Sequence, residues 1–273
     1  MPDFEIRDLR TQAEYAACVE LQQATWGPGF REAVPATILK ISQRVGGVTA
    51  GAFDRRDDAL LGFVFGITGV ERGEIVHWSD MLAVRPDVQG CGLGRELKRY
   101  QHDAVAALGA TRMYWTYDPL VARNAYFNLE RLGARVAEYV PDMYGHDTGS
   151  PLHRGVGTDR LVVLWPIGPR PPREAPGGAP TPADRAPVLN AAMLAPDSIA
   201  PEPAALLDGH PPVVRIAIPA DIHAERALSE DRAAAWRAST REAFTRALAE
   251  GYTVARFEPG ATGAPGHYWL TRS

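Results

Sequence analysis

One stretch constrains this chain more than any other: Val84 to Leu97, Val-Arg-Pro-Asp-Val-Gln-Gly-Cys-Gly-Leu-Gly-Arg-Glu-Leu. An apolar strand ending at Val84 runs into a glycine-dense turn, and the turn runs directly into an amphipathic helix. Gly90, Gly92 and Gly94 leave the main chain bare, so its N–H groups can come close to a ligand. The helix start brings unpaired N–H groups and the positive end of its dipole to the same place. Such a turn is suited to a pyrophosphate.

Spacing separates the phosphate-binding motifs. A Walker A loop ends in Gly-Lys-Ser/Thr, which is absent here. A dinucleotide fingerprint counted from Gly90 requires glycine at Arg95, and counted from Gly92 it requires glycine at Leu97. What fits is Gln-x-x-Gly-x-Gly, carried by Gln89, Gly92 and Gly94. With the Leu82 to Val84 strand before it and a helix after it, this segment resembles the pyrophosphate loop of the GNAT superfamily of acyl-CoA-dependent N-acyltransferases.

Composition narrows the remaining classes. The formal charge of the 273 residues is −4, so there is no electrostatic footprint for nucleic acid. No apolar run approaches membrane-spanning length, and the polar, acidic start is unlike a signal peptide. The two cysteines, Cys18 and Cys91, fall on different elements. A disulfide framework is therefore not expected and a cytoplasmic setting is. No metal is expected, and Cys91 reads as a small residue beside the phosphate site.

Along the chain, Phe4–Leu9 reads as a strand and Thr11-x-x-Glu14 as a capping box opening a helix. A second helix spans Val34–Arg44, with Pro35 in its first turn. Strands follow at 48–53, 60–67 and 74–84, then a helix over Leu93–Leu108 closed by Gly109. Further expectations are a strand at Arg112–Tyr117, a helix at Leu120–Leu132, and strands at Val136–Val140 and Arg160–Trp165. Of the 23 prolines, 12 lie in 169–212, which marks a linker or extended arm. Beyond it come a strand at Val213–Ile218, one helix over Leu228–Glu250, and strands at 252–257 and 267–270. The expected domains are 1–168, an arm at 169–212, and a small α/β unit at 213–273. So small a unit has a marginal core, and docking on the first domain or forming a homodimer would complete it.

The element order over about residues 4–167 matches the GNAT order. The resemblance implies an α/β (α+β) fold: a mixed central sheet with splayed fourth and fifth strands, flanked by helices. Several strings resemble one bacterial group of predicted acetyltransferases: Trp115-Thr116-x-Asp118-Pro119-Leu120, Asn124-Ala125-x-Phe127-Asn128, Tyr144-Gly145, Thr158-Asp159-Arg160-Leu161 and Trp236-Arg237. That group names no acceptor.

The resemblance implies acetyl-CoA or another acyl-CoA as co-substrate. Its pantetheine arm would pair with Leu82, Ala83 and Val84. The amides of Gln89, Gly90, Cys91, Gly92, Leu93, Gly94 and Arg95 would take the pyrophosphate. A backbone N–H near Leu82 or Ala83 would polarise the thioester carbonyl. The fourth-strand glutamate common in the superfamily falls here at Trp78. Asp80, on the same strand face, and His77, on the other, are the candidate bases. The superfamily tyrosine falls at Leu129, leaving Tyr126 or Tyr144 as candidate acids. Asn124 is either a pantetheine contact or a helix cap. Trp26, Asp118 and Arg160 are candidate acceptor contacts, each with a structural alternative: core packing, a turn cap, and an ion pair with Asp159. The expected reaction is transfer to a primary amine of a small molecule or amino acid. A protein acceptor and a non-catalytic CoA sensor are the alternatives.

Overall fold

A computed structural model describes residues 3–145, 147–168, 186–194 and 202–272. The strands β1 (Phe4–Asp8), β2 (Val48–Asp54), β3 (Leu60–Glu71), β4 (Glu74–Val84), β5 (Arg112–Tyr117), β6 (Arg135–Val140) and β7 (Arg160–Pro166) form one mixed sheet. Their order is β1-β2-β3-β4-β5-β7-β6. The first four pair antiparallel, and β4 pairs parallel with β5. Among the described residues no helix is long and apolar enough to cross a membrane.

The chain forms two compact units, Met1–Trp115 with Thr148–Pro151 and Leu164–Arg170, and Thr116–Asp147 with Leu152–Val163 and Pro171–Ser273. These do not follow the boundaries expected at 168 and 213. Of the expected arm, residues 186–194 and 202–212 are ordered: Ala186 and Leu189 are buried, and Val188 bridges to Arg215. The remainder of the arm lies outside the described residues.

In the first unit α1 (Gln12–Trp26) starts at the expected capping box, with Thr11 Oγ1 accepting from the Glu14 N–H. Pro35 is the cap residue of α2 (Ala36–Arg44) rather than part of its first turn. Both helices close an apolar core of Leu9, Tyr15, Cys18, Leu21, Leu39, Phe53, Phe63, Phe65, Met81 and Ala83. Helix α3 (Leu93–Ala107) ends at Gly109, which takes φ +83° as a left-handed stop.

Against α3 the first half of β4 carries polar groups in place of apolar ones. Gln101 and Lys98 of α3 reach His77 and Ser79 of β4, at 3.0 and 2.6 Å. A Cβ on Gly66 would lie 2.2 Å from His77 Nε2 and 2.6 Å from the Trp78 carbonyl oxygen, so only glycine leaves the imidazole its place.

In the second unit α4 (Ala122–Ala125) leads into a wide π-type turn over Tyr126–Arg131, where one α-helix was expected. The C-terminal elements are α5 (Pro203–Leu207), β8 (Val213–Ile218), α6 (Ile222–Leu228), α7 (Glu230–Ala249), β9 (Tyr252–Glu258) and β10 (Gly266–Arg272). The sheet order is β8-β10-β9. The helix expected from Leu228 begins instead at Glu230. Ser229, extended at φ −163°, ends α6 and caps α7 by accepting from the Arg232 N–H. Tyr139 stacks on Phe244, which meets Tyr268 edge-on, and Tyr268 meets Phe257 at a tilt, with 4.9–5.2 Å between centroids. The C-terminal elements thus share a core with β6.

Gly66→Ala overpacks this face, and we expect it to cost about 1–3 kcal/mol of unfolding free energy, read by urea denaturation.

Candidate active site

The strand leading into the loop contains a bulge. Gly66 of β3 faces Ser79, but Phe65 faces Met81, so Asp80 is the extra residue on β4. The bulge inverts the alternation of side chains. Before it, His77 and Ser79 point toward α3. After it, Leu82 and Val84 do, since a Cβ on Gly94 of α3 would lie 3.5 Å from Leu82 and 3.9 Å from Val84. Met81 and Ala83 join the opposite core with α1 and α2.

Main-chain groups alternate as well. The Arg85 N–H donates to the Leu61 oxygen at 2.9 Å, which marks that position as a bonded rung. Ala83 and Met81 then bond toward β3, while the N–H and C=O of Leu82 and Val84 face the β5 side. There the ladder ends at Trp78↔Tyr114. The Val84 oxygen accepts from the Gln89 side chain at 3.0 Å. The Leu82 N–H and C=O and the Val84 N–H are left on an open edge. Of the two residues expected to polarise a carbonyl, Ala83 is therefore turned away and Leu82 faces the edge.

Next comes a short 3-10 turn, Pro86–Val88, and then the glycine loop. Gly90 and Gly92 take φ +81° and +90°, and beyond each the space where a Cβ would stand is open. The Gln89 amide donates to the Pro86 oxygen and the Arg95 amide to the Gly92 oxygen. Among the described residues, the amides of Gly90, Cys91, Gly92, Leu93 and Gly94 have no protein acceptor. Five consecutive donors at a helix start, where the dipole adds about half a positive charge, form an anion cradle. The donor set is narrower than the expected Gln89–Arg95: Gln89 braces the loop through its side chain.

Asp80 is exposed at its surface, yet its surroundings desolvate it. That, together with the charge of Glu32 from the α1–α2 loop, raises its carboxyl above the usual range. His77 is placed differently. It is 0% exposed. Thr68 Oγ1 donates to the Gly46 oxygen and so accepts from Nδ1–H, while Gln101 Nε2 donates to Nε2. Burial lowers its pKa to about 4, and the imidazole is neutral. With Nδ1–H donated to Thr68 and Nε2 accepting from Gln101, His77 has no lone pair left for an amine proton, and we drop it as a candidate base.

The remaining candidates have protein partners. Trp26 is half-buried, stacks on Phe30 at 5.6 Å and packs against the α1–α2 core. Asn124 lies inside α4, whose cap is Val121, so the capping alternative does not hold. Tyr126 is half-buried with the Arg131 guanidinium 5.3 Å over its ring. Tyr144 shares a hydrogen bond with Thr116 at 2.9 Å. Asp118 accepts from the Leu120 N–H, and both its oxygens accept from Arg237 at 2.8 and 2.7 Å. Arg160 donates to the Asp159 oxygen and to His153 Nε2, at 2.8 and 2.9 Å. Its expected pairing with the Asp159 carboxylate is absent. That carboxylate instead takes Arg241, the Tyr139 hydroxyl and the Asp142 N–H. Arg237 and Arg241 were not foreseen as partners, because they lie more than eighty residues downstream. A surface cavity of about 620 Å³ in the second unit is lined by Arg237, Arg241, Arg246, Asp142 and Glu242. Its charges pair within the protein, and it contains no residue of the glycine loop.

Residues 15–133 match the acetyltransferase (GNAT) family. Over this segment, less than half of the chain, the protein is similar to that family. No curated protein is similar enough in sequence to match. Among solved structures, the chain resembles the NatC complex bound to Gag peptide and CoA (14% identity, 61% of this chain and 99% of that one, TM-score 0.49). It also resembles aminoglycoside 6′-acetyltransferase type Ii (20% identity, 61% and 99%, TM-score 0.48). The ribosomal-protein-S18-alanine N-acetyltransferase from Escherichia coli is similar too (19% identity, 62% and 97%, TM-score 0.45). At these values the likeness says nothing of the acceptor.

Two measurements test the site. Gly92→Ala forces a side chain into a left-handed position at about 1–2 kcal/mol, and CoA affinity in calorimetry should fall about tenfold, whereas Gly94→Ala, with ordinary contacts at its Cβ, should change it little. His77 titrates near 6.5 when unfolded and near 4 when folded, so the unfolded state binds the extra proton between those values. Stability should therefore decline as pH falls from 6.5 to 4, and His77→Gln should flatten that decline in urea titrations.

Proposed function

We propose that the chain transfers an acetyl or longer acyl group from acyl-CoA to a primary amine of a small molecule or amino acid. The observation that carries this reading is the open edge at Leu82 and Val84 running into five unpaired amides, Gly90 to Gly94. A diphosphate on those amides aligns a thioester-bearing arm with the edge, as an added strand would align. The Leu82 N–H is the donor facing that edge, and it would stabilise negative charge on the carbonyl oxygen during attack.

Asp80 serves as the base in this reading. With Glu32 nearby it makes the acceptor side anionic, which suits an amine arriving as an ammonium ion. Asp80 takes the ammonium proton, and the freed amine attacks the carbonyl carbon. The C–S bond then breaks, the nitrogen gives up its second proton to solvent, and the thiolate takes up a proton from solvent as free thiol. Positioning supplies much of the acceleration, and the base supplies the rest.

The function is tested with acetyl-CoA and a panel of amines, following thiol release and acylated product by mass spectrometry. Asp80→Asn should lower kcat/KM about 10²-fold or more. In the native enzyme kcat/KM should fall as pH drops through the raised carboxyl pKa, and in the variant that limb should be absent. Because an ionised carboxylate with a raised pKa destabilises the fold above that pKa, Asp80→Asn should also raise the melting temperature at neutral pH. Unchanged kinetics would remove Asp80 from the mechanism.

A further inference from the structure

Lysine is rare in this chain. Of its 29 Lys and Arg residues only Lys40 and Lys98 are lysine. Lys40 is exposed on α2, whereas Lys98 is 3% exposed. Its Nζ donates to Ser79 Oγ at 2.6 Å and lies 4.1 Å from the centroid of the Trp115 ring. Among the described residues no carboxylate acts on it, burial being the one influence on its charge. An ammonium ion buried without a counter-charge is disfavoured, which shifts the group toward the neutral amine.

Its place in the fold is specific. Ser79 is the first β4 residue beyond the last rung, Trp78↔Tyr114, and Trp115 is the next residue of β5. Nζ therefore bridges the two strands where their pairing stops. The loop at Gly90–Gly94 stands at the other end of the same strand edge, and its last glycine, Gly94, is one turn of α3, about 6 Å of helix axis, before Lys98. One turn along α3, Gln101 Oε1 is buried with no hydrogen-bond partner among the described residues.

We propose that Lys98 Nζ is an internal acyl acceptor, taking the acyl group from a thioester bound along β4 to form an Nε-acyl-lysine. The inference rests on the acyl-CoA reading above. The amine lone pair attacks the thioester carbonyl carbon. The N–C bond forms, the C–S bond breaks, and the amine proton leaves with the thiolate as free thiol. No further reactant is required. The product is a neutral amide, which the buried position beside Trp115 holds at far lower cost than an ammonium ion.

The two-lysine composition makes the test direct. The full-length protein is incubated with acetyl-CoA without any amine, and CoA binding is measured in parallel by calorimetry. The expected result is one added mass of about 42 Da, mapped to Lys98. It should persist in Lys40→Arg, vanish in Lys98→Met, and accumulate at Lys98 at least about tenfold faster than at Lys40 in the folded protein. Unfolding in guanidinium should erase that preference. Labelling confined to Lys40 or the N-terminus, or equal rates at both lysines, overturns the proposal. CoA binding with no label on Lys98 overturns it alone, while absence of both binding and label overturns the acyl-CoA reading with it.

Discussion

One additional residue in one strand organises the first unit. Without the bulge at Asp80, β4 would keep a single phase, and positions 77, 79, 81 and 83 would all face the same layer. With it, the strand presents a polar set to α3 over its first half and an apolar set to the α1–α2 core over its second. The same irregularity falls two residues after the last rung with β5. A regular parallel neighbour cannot follow a strand whose hydrogen-bonding phase has shifted, so the edge beyond is left for another extended partner. The unpaired amides at Gly90–Gly94 lie at the end of this open edge.

Burial separates the two histidine and carboxylate candidates of β4 by environment rather than by residue type. His77 is fully enclosed, singly protonated on Nδ1 and held by two partners, a structural role that fixes the distance between β4 and α3. Asp80 stays at the surface beside another carboxylate, a setting that adds nothing to stability. In the second unit the opposite holds: Asp118, Asp159, Arg160, Arg237 and Arg241 neutralise one another in a buried network. Breaking one member would leave its largely buried partners uncompensated, so these charges hold elements together.

Much of the fold is legible in the sequence because its signals are local. The Thr11–Glu14 capping box, the left-handed stop at Gly109 and the glycine spacing after Val84 each depend on residues within one turn of each other. The bulge leaves no such trace, since Ser79-Asp80-Met81 reads as an ordinary strand and only its pairing with Phe65 and Gly66 shows the shift. The break at Ser229 is hidden by helix-forming residues on both sides. Asp118 and Arg160 look like acceptor groups as long as their partners on α7 are out of view. The donor set of the loop contracts for a similar reason, because the turn bonds that occupy the Gln89 and Arg95 amides depend on geometry and not composition.

The carbonyl of Pro119 receives the Tyr268 hydroxyl, the Phe257 N–H donates to Glu130, and Arg237 spans Asp118 and the Val156 oxygen. Each bond ties a residue before position 168 to one after 212. A boundary drawn by family resemblance therefore differs from the boundary at which folding is complete. Cutting the chain after the last strand of the large sheet would yield an unfinished protein rather than a minimal enzyme, with severed acceptors facing solvent along its helical turns.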